Sequence, residues 1–158
     1  MIKISKGLDL PISGSPSLDI SDEPKVSSVA LLSNDYVGMK PTMFFKEGDH
    51  VNCGEKIFED KKNKGVFYCA PGSGLIKAVN RGDKRKFISI EIDLDNEQEF
   101  IEFNDQENFI NLLQETGLWN SFRTRPFNRT PAISDIPKGI FINCCDTCLL
   151  YTSPSPRD

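Results

Sequence analysis

Histidine is nearly absent from this chain: His50 stands alone among 158 residues, as does a single tryptophan. Nothing in the sequence supplies a recognisable nucleophile–base pair. His50 itself lies in a Gly-Asp-His turn, where it reads as a solvated residue rather than a ligand or base. An excess of positive charge is also missing. Lys and Arg number 19 against 23 Asp and Glu, a net charge of −4, which argues against a nucleic-acid partner, because binding the phosphate backbone needs a basic face to displace counterions. No apolar run approaches the ~20 residues that span a bilayer. Residues 1–6 lack the apolar stretch of a signal peptide. The expectation is a cytoplasmic chain, held to a membrane only through a partner. Cysteine is sparse and odd in number, five in all: Cys53, Cys69, Cys144, Cys145 and Cys148. An odd count fits thiols better than a disulfide framework. The C-C-x-x-C run has no second pair at ligand spacing, so no metal or iron–sulfur site is expected.

What is present is a globular balance, with 38% hydrophobic and 27% charged residues, enough for one domain or one plus a fragment. Short apolar runs alternate with glycine turns. Strands are predicted over 26–33, 44–46, from 51, 56–59, 66–69, 75–80 and 87–94. The pair 56–59 and 66–69 forms a hairpin with a charged tip, 60–65, ending in Gly65. This spacing predicts a small closed all-β unit. The texture changes near residue 104. Asn104 or Asp105 can cap a helix with Phe109, Ile110, Leu112 and Leu113 as its apolar face, stopped by Gly117. A short helical turn is predicted over 118–122. The run 139–143 reads as a strand apolar on both faces, as in a parallel α/β sheet.

The most specific pattern is Glu47-Gly48-Asp49-x-Val51-x-x-Gly54, then Ala70-Pro71-x-x-Gly74-x-Ile76. It resembles the biotinyl/lipoyl-like barrel-sandwich fold. In carriers of that fold a lysine at the hairpin tip, commonly between methionines, bears the cofactor. Counted back from Ala70, that place falls on Asn63, flanked by Lys62 and Lys64 with no Met nearby. Lys61, Lys62 and Lys64 therefore read as a solvated cationic tip. Arg81-Gly82-Asp83 reads as a turn, and Asn128-Arg129-Thr130 as a sequon only in a secreted protein. Gly72-Ser73-Gly74 lacks the strand–turn–helix context of a phosphate loop. Asp93, Asp95 and Glu97 read as the wet side of a strand rather than a cation site.

Taken together, the chain resembles the A-subunit family of sodium-translocating NADH–quinone reductases. The matching stretches are Lys6-Gly7-Leu8-Asp9-Leu10-Pro11-Ile12, Val29-Ala30-Leu31-Leu32 and Tyr36-Val37-Gly38-Met39-Lys40-Pro41-Thr42-Met43. They continue with Phe58-Glu59-Asp60-Lys61-Lys62-Asn63, Val79-Asn80-Arg81-Gly82, Gly117-Leu118-Trp119, Arg123-Thr124-Arg125-Pro126-Phe127 and Asp146-Thr147. A more distant resemblance is to the C-subunit of the Rnf electron-transport complex, which shares the glycine-turn barrel but not the "RTRPF" string. The resemblance implies a mainly β, barrel-sandwich hybrid N-terminal domain over 1–103 and a helix and linker over 104–138. A truncated Rossmann-like α/β domain then begins at 139–147. The closing residues 148–158, "CLLYTSPSPRD", translate letter for letter from one frame of a transposase-type sequencing adapter. They are expected to be read-through rather than protein.

The resemblance also implies a peripheral component of a respiratory complex, on the cytoplasmic side of the bacterial inner membrane. That complex carries electrons from NADH to ubiquinone and exports sodium. This component is implicated at the quinone end, while the flavins and iron centre belong to its partner subunits, one of them a membrane protein. No cofactor or metal is expected on this fragment, and it is not expected to catalyse alone. Candidate quinone contacts are Tyr36, Val37, Gly38, Met39, Arg123, Arg125 and Phe127. An aromatic and a thioether can pack a quinone ring, and an arginine can bond its carbonyl. The competing reading is that the arginines only tie the linker to the next domain. A carrier domain and a pure assembly module are the other classes left open.

Overall fold

The computed structural model describes residues 25–103 and 108–142. The matching stretch near the start, the proposed caps Asn104 and Asp105, Asn143, Cys144, Cys145, Asp146-Thr147 and the tail 148–158 lie outside the described residues. Seven strands are present among the described residues: β1 (Ser28–Leu32), β2 (Pro41–Met43), β3 (His50–Val51), β4 (Lys56–Asp60), β5 (Phe67–Cys69), β6 (Gly74–Arg81) and β7 (Phe87–Leu94). They form two antiparallel sheets, one ordered β1-β7-β6-β3 and the other β2-β4-β5. A helix, α1 (Phe109–Glu115), follows, then a 3-10 turn at Leu118–Ser121.

The alternating residues of β7 show why the sheets close on a core. Ile90 and Ile92 are buried while Glu91 is half-buried and Asp93 exposed, the period-2 pattern of a strand with one face covered; the β6–β7 register shift between Asn80 and Arg81 resets the alternation at the start of the strand, where Phe87 and Ser89 are buried and Ile88 is exposed. Ile92 stands opposite Val29 of β1 and Ile76 of β6. From the other sheet come Ile57, Phe58 and Tyr68, all sealed from solvent. Ile57 and Phe58 are consecutive, so regular pleating would turn one of them outward. The irregularity in the β4–β5 register between Lys56 and Phe58 lets both face in. Gly74 is required by contact: a Cβ there would lie 2.0 Å from the Asp93 carbonyl oxygen across the β6–β7 ladder. Gly54 is required by conformation, with φ of +91° in the turn before β4.

Four expectations change. The strand placed at 44–46 is formed by Pro41–Met43 instead, pairing with β4 from Pro41↔Asp60 to Met43↔Phe58. Proline is tolerated there because it opens an edge strand. The described helix cap is Asn108, whose side-chain oxygen accepts from the Ile110 and Asn111 N–H groups. Of the expected apolar face, Leu113 packs on the core, whereas Phe109 and Ile110 are exposed. Residues 139–142 form no strand: a strand needs a hydrogen-bonded neighbour, and no described residue pairs with them.

Contacts divide the described residues into two units, Lys25–Ile136 and a second to which residues 137–142 belong. Within the first, Trp119 joins the hydrophobic core. Its indole N–H donates to the Pro131 carbonyl at 3.1 Å, and its ring meets Phe122 edge-on at 5.4 Å. Of the second unit, the described residues 137–142 lie open to solvent.

Candidate functional site

Within the Lys25–Ile136 unit, three segments far apart in sequence enclose a cavity of about 150 Å³. The link after β1 supplies Tyr36, Val37, Gly38 and Met39; the β4–β5 tip supplies Asp60, Lys62 and Asn63; the segment before Pro131 supplies Arg129 and Thr130; and Tyr68 of β5 completes the wall.

The hairpin tip is held rather than free. Asp60 is buried, and its Oδ1 accepts from the backbone N–H groups of Lys40 and Lys62 at 3.1 and 3.0 Å. Lys62 Nζ donates to the Gly38 carbonyl at 3.0 Å, which binds the tip to the loop opposite. Asn63 donates its side-chain amide to the carbonyls of Thr130, at 3.3 Å, and Pro131, at 2.9 Å. The position where a carrier would hold its prosthetic lysine thus clamps a neighbouring segment. An amide cannot form the linkage to biotin or lipoate, and this one is engaged, so the residues do not fit a swinging-arm cofactor. Lys61 and Lys64 are exposed.

The aromatic side of the site is a stack. Phe58 and Tyr68 lie nearly parallel at 4.7 Å, and Tyr36 meets Tyr68 edge-on at 4.6 Å. The Arg123 guanidinium sits 5.3 Å from the Tyr36 ring centre as a cation–π neighbour. Arg123 donates to the carbonyls of Asn120 and Phe122, to Thr130 Oγ1 at 3.1 Å and to the Asp35 carbonyl at 3.4 Å. Burial pushes the Tyr36 phenol above its ordinary pKa, with Arg123 opposing and Asp35 reinforcing the shift. Burial also pushes Tyr68 up to about 12, so both phenols carry their protons at neutral pH.

Tyr36, Val37, Gly38 and Met39 therefore line one cavity, as grouped from sequence. Arg123 reaches it through Tyr36 and Thr130. Arg125 and Phe127 are exposed and do not line it. The sequence reasoning missed Asp60, Tyr68, Arg129 and Thr130; in sequence, Arg129 and Thr130 stand out only as part of a glycosylation sequon. A signal does exist at Asn63: a lysine position that has lost its lysine invites the question of what the new side chain holds.

A second, more open cavity of about 350 Å³ lies among Phe45, Gly54, Lys56, Ile101, Phe103 and Glu115. Lys56 pairs there with Glu115 and lies 4.3 Å from the centre of the Phe67 ring. Cys69 nearby is pushed up to about 11, chiefly by burial, and donates its thiol to the Glu115 carbonyl at 3.7 Å; it is a poor nucleophile. His50 is on β3 rather than in a turn, and its Nε2 lies 2.7 Å from Asp95 Oδ2. Asp93 pairs with Lys77. Among the described residues no three His, Cys, Asp or Glu side chains gather as a metal site would require.

Two family models match the chain. The NqrA N-terminal barrel-sandwich hybrid domain matches residues 2–95. The NqrA second alpha/beta domain matches residues 104–156. Among curated relatives, the Na(+)-translocating NADH-quinone reductase A-subunit of Klebsiella pneumoniae (strain 342) is 44% identical over 166 residues, covering 99% of this chain and 37% of the relative. That of Hahella chejuensis is 46% identical over 165 residues, with 98% and 37% covered. That of Photorhabdus laumondii is 45% identical over 157 residues, with 93% and 35% covered. The chain spans little more than a third of the length of these relatives.

Proposed function

The chain belongs to the A-subunit family of the Na(+)-translocating NADH-quinone reductase, and from that premise we propose that it is the N-terminal part of a peripheral subunit serving the quinone end of that enzyme. In this reading the whole complex passes electrons from NADH to ubiquinone and exports sodium. The flavins and the iron centre reside on other subunits. The protein works on the cytoplasmic side of the bacterial inner membrane and is held there by partners, one of them a membrane protein. Among the described residues no helix is long and apolar enough to cross a bilayer.

The observation that carries the reading is the cavity formed by Tyr36, Val37, Gly38 and Met39 against the hairpin tip. Its volume of about 150 Å³ equals that of an apolar protein cavity known to take up benzene, roughly 150 Å³, which suits a single ring. Tyr36 and the Met39 thioether supply the soft wall a quinone ring packs against, and Arg129 supplies positive charge beside it. Arg123 acts behind Tyr36. Arg125 and Phe127, both exposed, are in this reading the surface on which another subunit of the complex docks.

The test is a split in the activity of the assembled complex. Tyr36→Ala and Met39→Ala are expected to raise KM for quinone roughly tenfold, about 1.4 kcal/mol, while NADH oxidation by an artificial acceptor that bypasses quinone stays unchanged. Equal loss of both activities, or no change in quinone KM, overturns the proposal. A pure assembly module predicts the first of those results.

A further inference from the structure

The tip joining β6 to β7 has two properties that the cavity above does not use. The first is conformational. The Lys86 N–H donates to the Asp83 carbonyl at 3.1 Å, closing a turn whose central residues, Lys84 and Arg85, have φ of +55° and +59°. Two successive left-handed residues are what a type I′ hairpin turn requires, and Asn-Gly fills those places at least cost. A long side chain at each is strained. The second property is charge. Residues 81–86 hold four cations, Arg81, Lys84, Arg85 and Lys86, against one acid, Asp83. All four cations are exposed, and none forms an ion pair among the described residues. A turn that keeps strained cations where Asn-Gly would fold better points to a role outside the fold.

The far end of β7 has the opposite sign. Residues 93–102 hold Asp93, Asp95, Glu97, Glu99 and Glu102 and no Lys or Arg. The length of β7, Phe87–Leu94, keeps the two groups about 25 Å apart. That exceeds twice the ~10 Å over which 0.1 M salt screens charge. An anionic surface approaching the tip therefore meets four cations less one acid, although the whole chain carries −4. We infer that the tip 81–86 docks on anionic phospholipid headgroups. A protein partner would need an apolar core to its contact, and residues 81–86 carry no apolar side chain; Ile88, 48% exposed, only flanks them over Gly82. A headgroup layer needs basic residues brought close to it and nothing more. The contact also sets which end of the molecule faces the bilayer. Leu32 stands opposite Ser89 near the start of β7 and leads through Ser33–Asp35 to Tyr36, and Phe87 meets Phe58, which stacks on Tyr68. The cavity thus lies toward the basic end of β7, the end turned to the lipid. This role rests on the membrane location proposed above and adds a direct lipid contact to the hold of the partner subunits.

The test uses the 158-residue chain with vesicles of phosphatidylglycerol and phosphatidylethanolamine. Phosphatidylcholine vesicles serve as the neutral surface and soluble poly-glutamate as an acidic chain. Binding is read by co-sedimentation at low and high salt, and the contact by broadening of amide signals. The wild-type chain is expected to sediment with the anionic vesicles at low salt, to leave them at high salt and to ignore the neutral ones, with broadening centred on 81–88. Each basic residue at an anionic surface contributes about a fivefold gain in binding. Lys84→Asn with Arg85→Gly is therefore expected to weaken binding roughly 25-fold while raising Tm, because it suits the turn. Lys84→Gln with Arg85→Gln keeps the strain and should lose the same binding with no gain in Tm. Lys56→Gln with Lys77→Gln lowers the net charge equally, away from the tip, and should leave binding unchanged. Wild-type binding by either tip variant overturns the inference, as does equal weakening by the Lys56 and Lys77 pair. So does a wild-type chain that ignores anionic vesicles; if poly-glutamate then broadens 81–88, the tip belongs to an acidic protein partner instead. None of these outcomes decides the quinone reading, which stands or falls on quinone KM in the assembled complex.

Discussion

Ile90 and Ile92 of β7 are fully sealed, whereas Ile140, Phe141 and Ile142 are exposed by 62%, 97% and 80%. The residue types are nearly the same, and both runs read as strands in the sequence. The difference lies in what stands beside them. β7 runs between β1 and β6, with ladders on both edges and the second sheet over its inner face. The stretch 139–142 has no ladder partner among the described residues. Apolar side chains make a strand only where neighbours satisfy the backbone and cover remains for the side chains. Each fully buried Ile contributes about 1.5–3 kcal/mol, and an exposed one contributes nothing of the kind.

The sharpest test of this contrast compares one deletion in each run. Ile92→Ala should cost about 2–5 kcal/mol, read as a lower denaturant midpoint at unchanged m-value. Phe141→Ala should stay within about 0.5 kcal/mol of wild type. Hydrogen exchange should follow the same division, with β7 amides exchanging only on global opening and those at 139–142 exchanging fast. A comparable cost at both positions would mean that Phe141 is covered in solution, and the contrast would collapse.

Between these extremes lies a segment with neither ladder nor solvent freedom. Residues 129–131 form no strand, yet Asn63, Arg123 and Trp119 all donate hydrogen bonds to them. Side chains here do what a neighbouring strand does for β7. Asn63→Ala removes two of those bonds and leaves the Thr130 and Pro131 carbonyls short of donors. The expected cost is about 1–2 kcal/mol, with local exchange at 128–130 rising more than global stability falls. Unchanged exchange there would show that Trp119 and Arg123 hold the segment without the clamp.

The ladder-held part of the molecule is the legible part. Glycine turns and alternation mark β4 to β7 closely, because each strand's signal is local. The clamp is only half legible. That position 63 lacks a cofactor lysine is visible in sequence; that its amide reaches Thr130 and Pro131, 67 and 68 residues away, is not. Phe44 and Phe45 draw the strand prediction away from Pro41–Met43, because aromatic propensity outweighs, in sequence, the tolerance of an edge strand for an opening proline. Phe109 and Ile110 fit a helical period yet face solvent, since periodicity says which residues share a face but not whether anything covers it. Tyr36 to Met39 are neighbours in sequence and can be grouped there, while Tyr68 and Arg129 join them only once the chain has folded.

The weakest pin in the set is the one with a sign that pH can read. After β7 the chain turns at Asp95, whose Oδ2 accepts from His50 Nε2 at 2.7 Å and from the buried Ser73 hydroxyl at 3.1 Å. The bond from His50 is the main cause holding the Asp95 carboxyl below its ordinary range; Ser73 and attraction to His50 add to it, against a desolvation penalty. A carboxyl whose folded pKa is depressed stabilises the fold above its unfolded pKa, about 3.9, and loses that contribution as pH falls through the folded value. Both side chains are close to half exposed, so solvent screens the pair and the effect should be the smallest considered. Asp95→Asn keeps the shape and an acceptor oxygen but cannot ionise. Its Tm deficit relative to wild type should be constant from about pH 6 to pH 5, narrow below about pH 3.9 and close once the folded carboxyl is protonated. A deficit that persists unchanged through the acid range would show that shape and hydrogen bonding, rather than charge, pin this turn. The end of β7 would then be held like the Thr130–Pro131 segment, by neutral side-chain contacts alone.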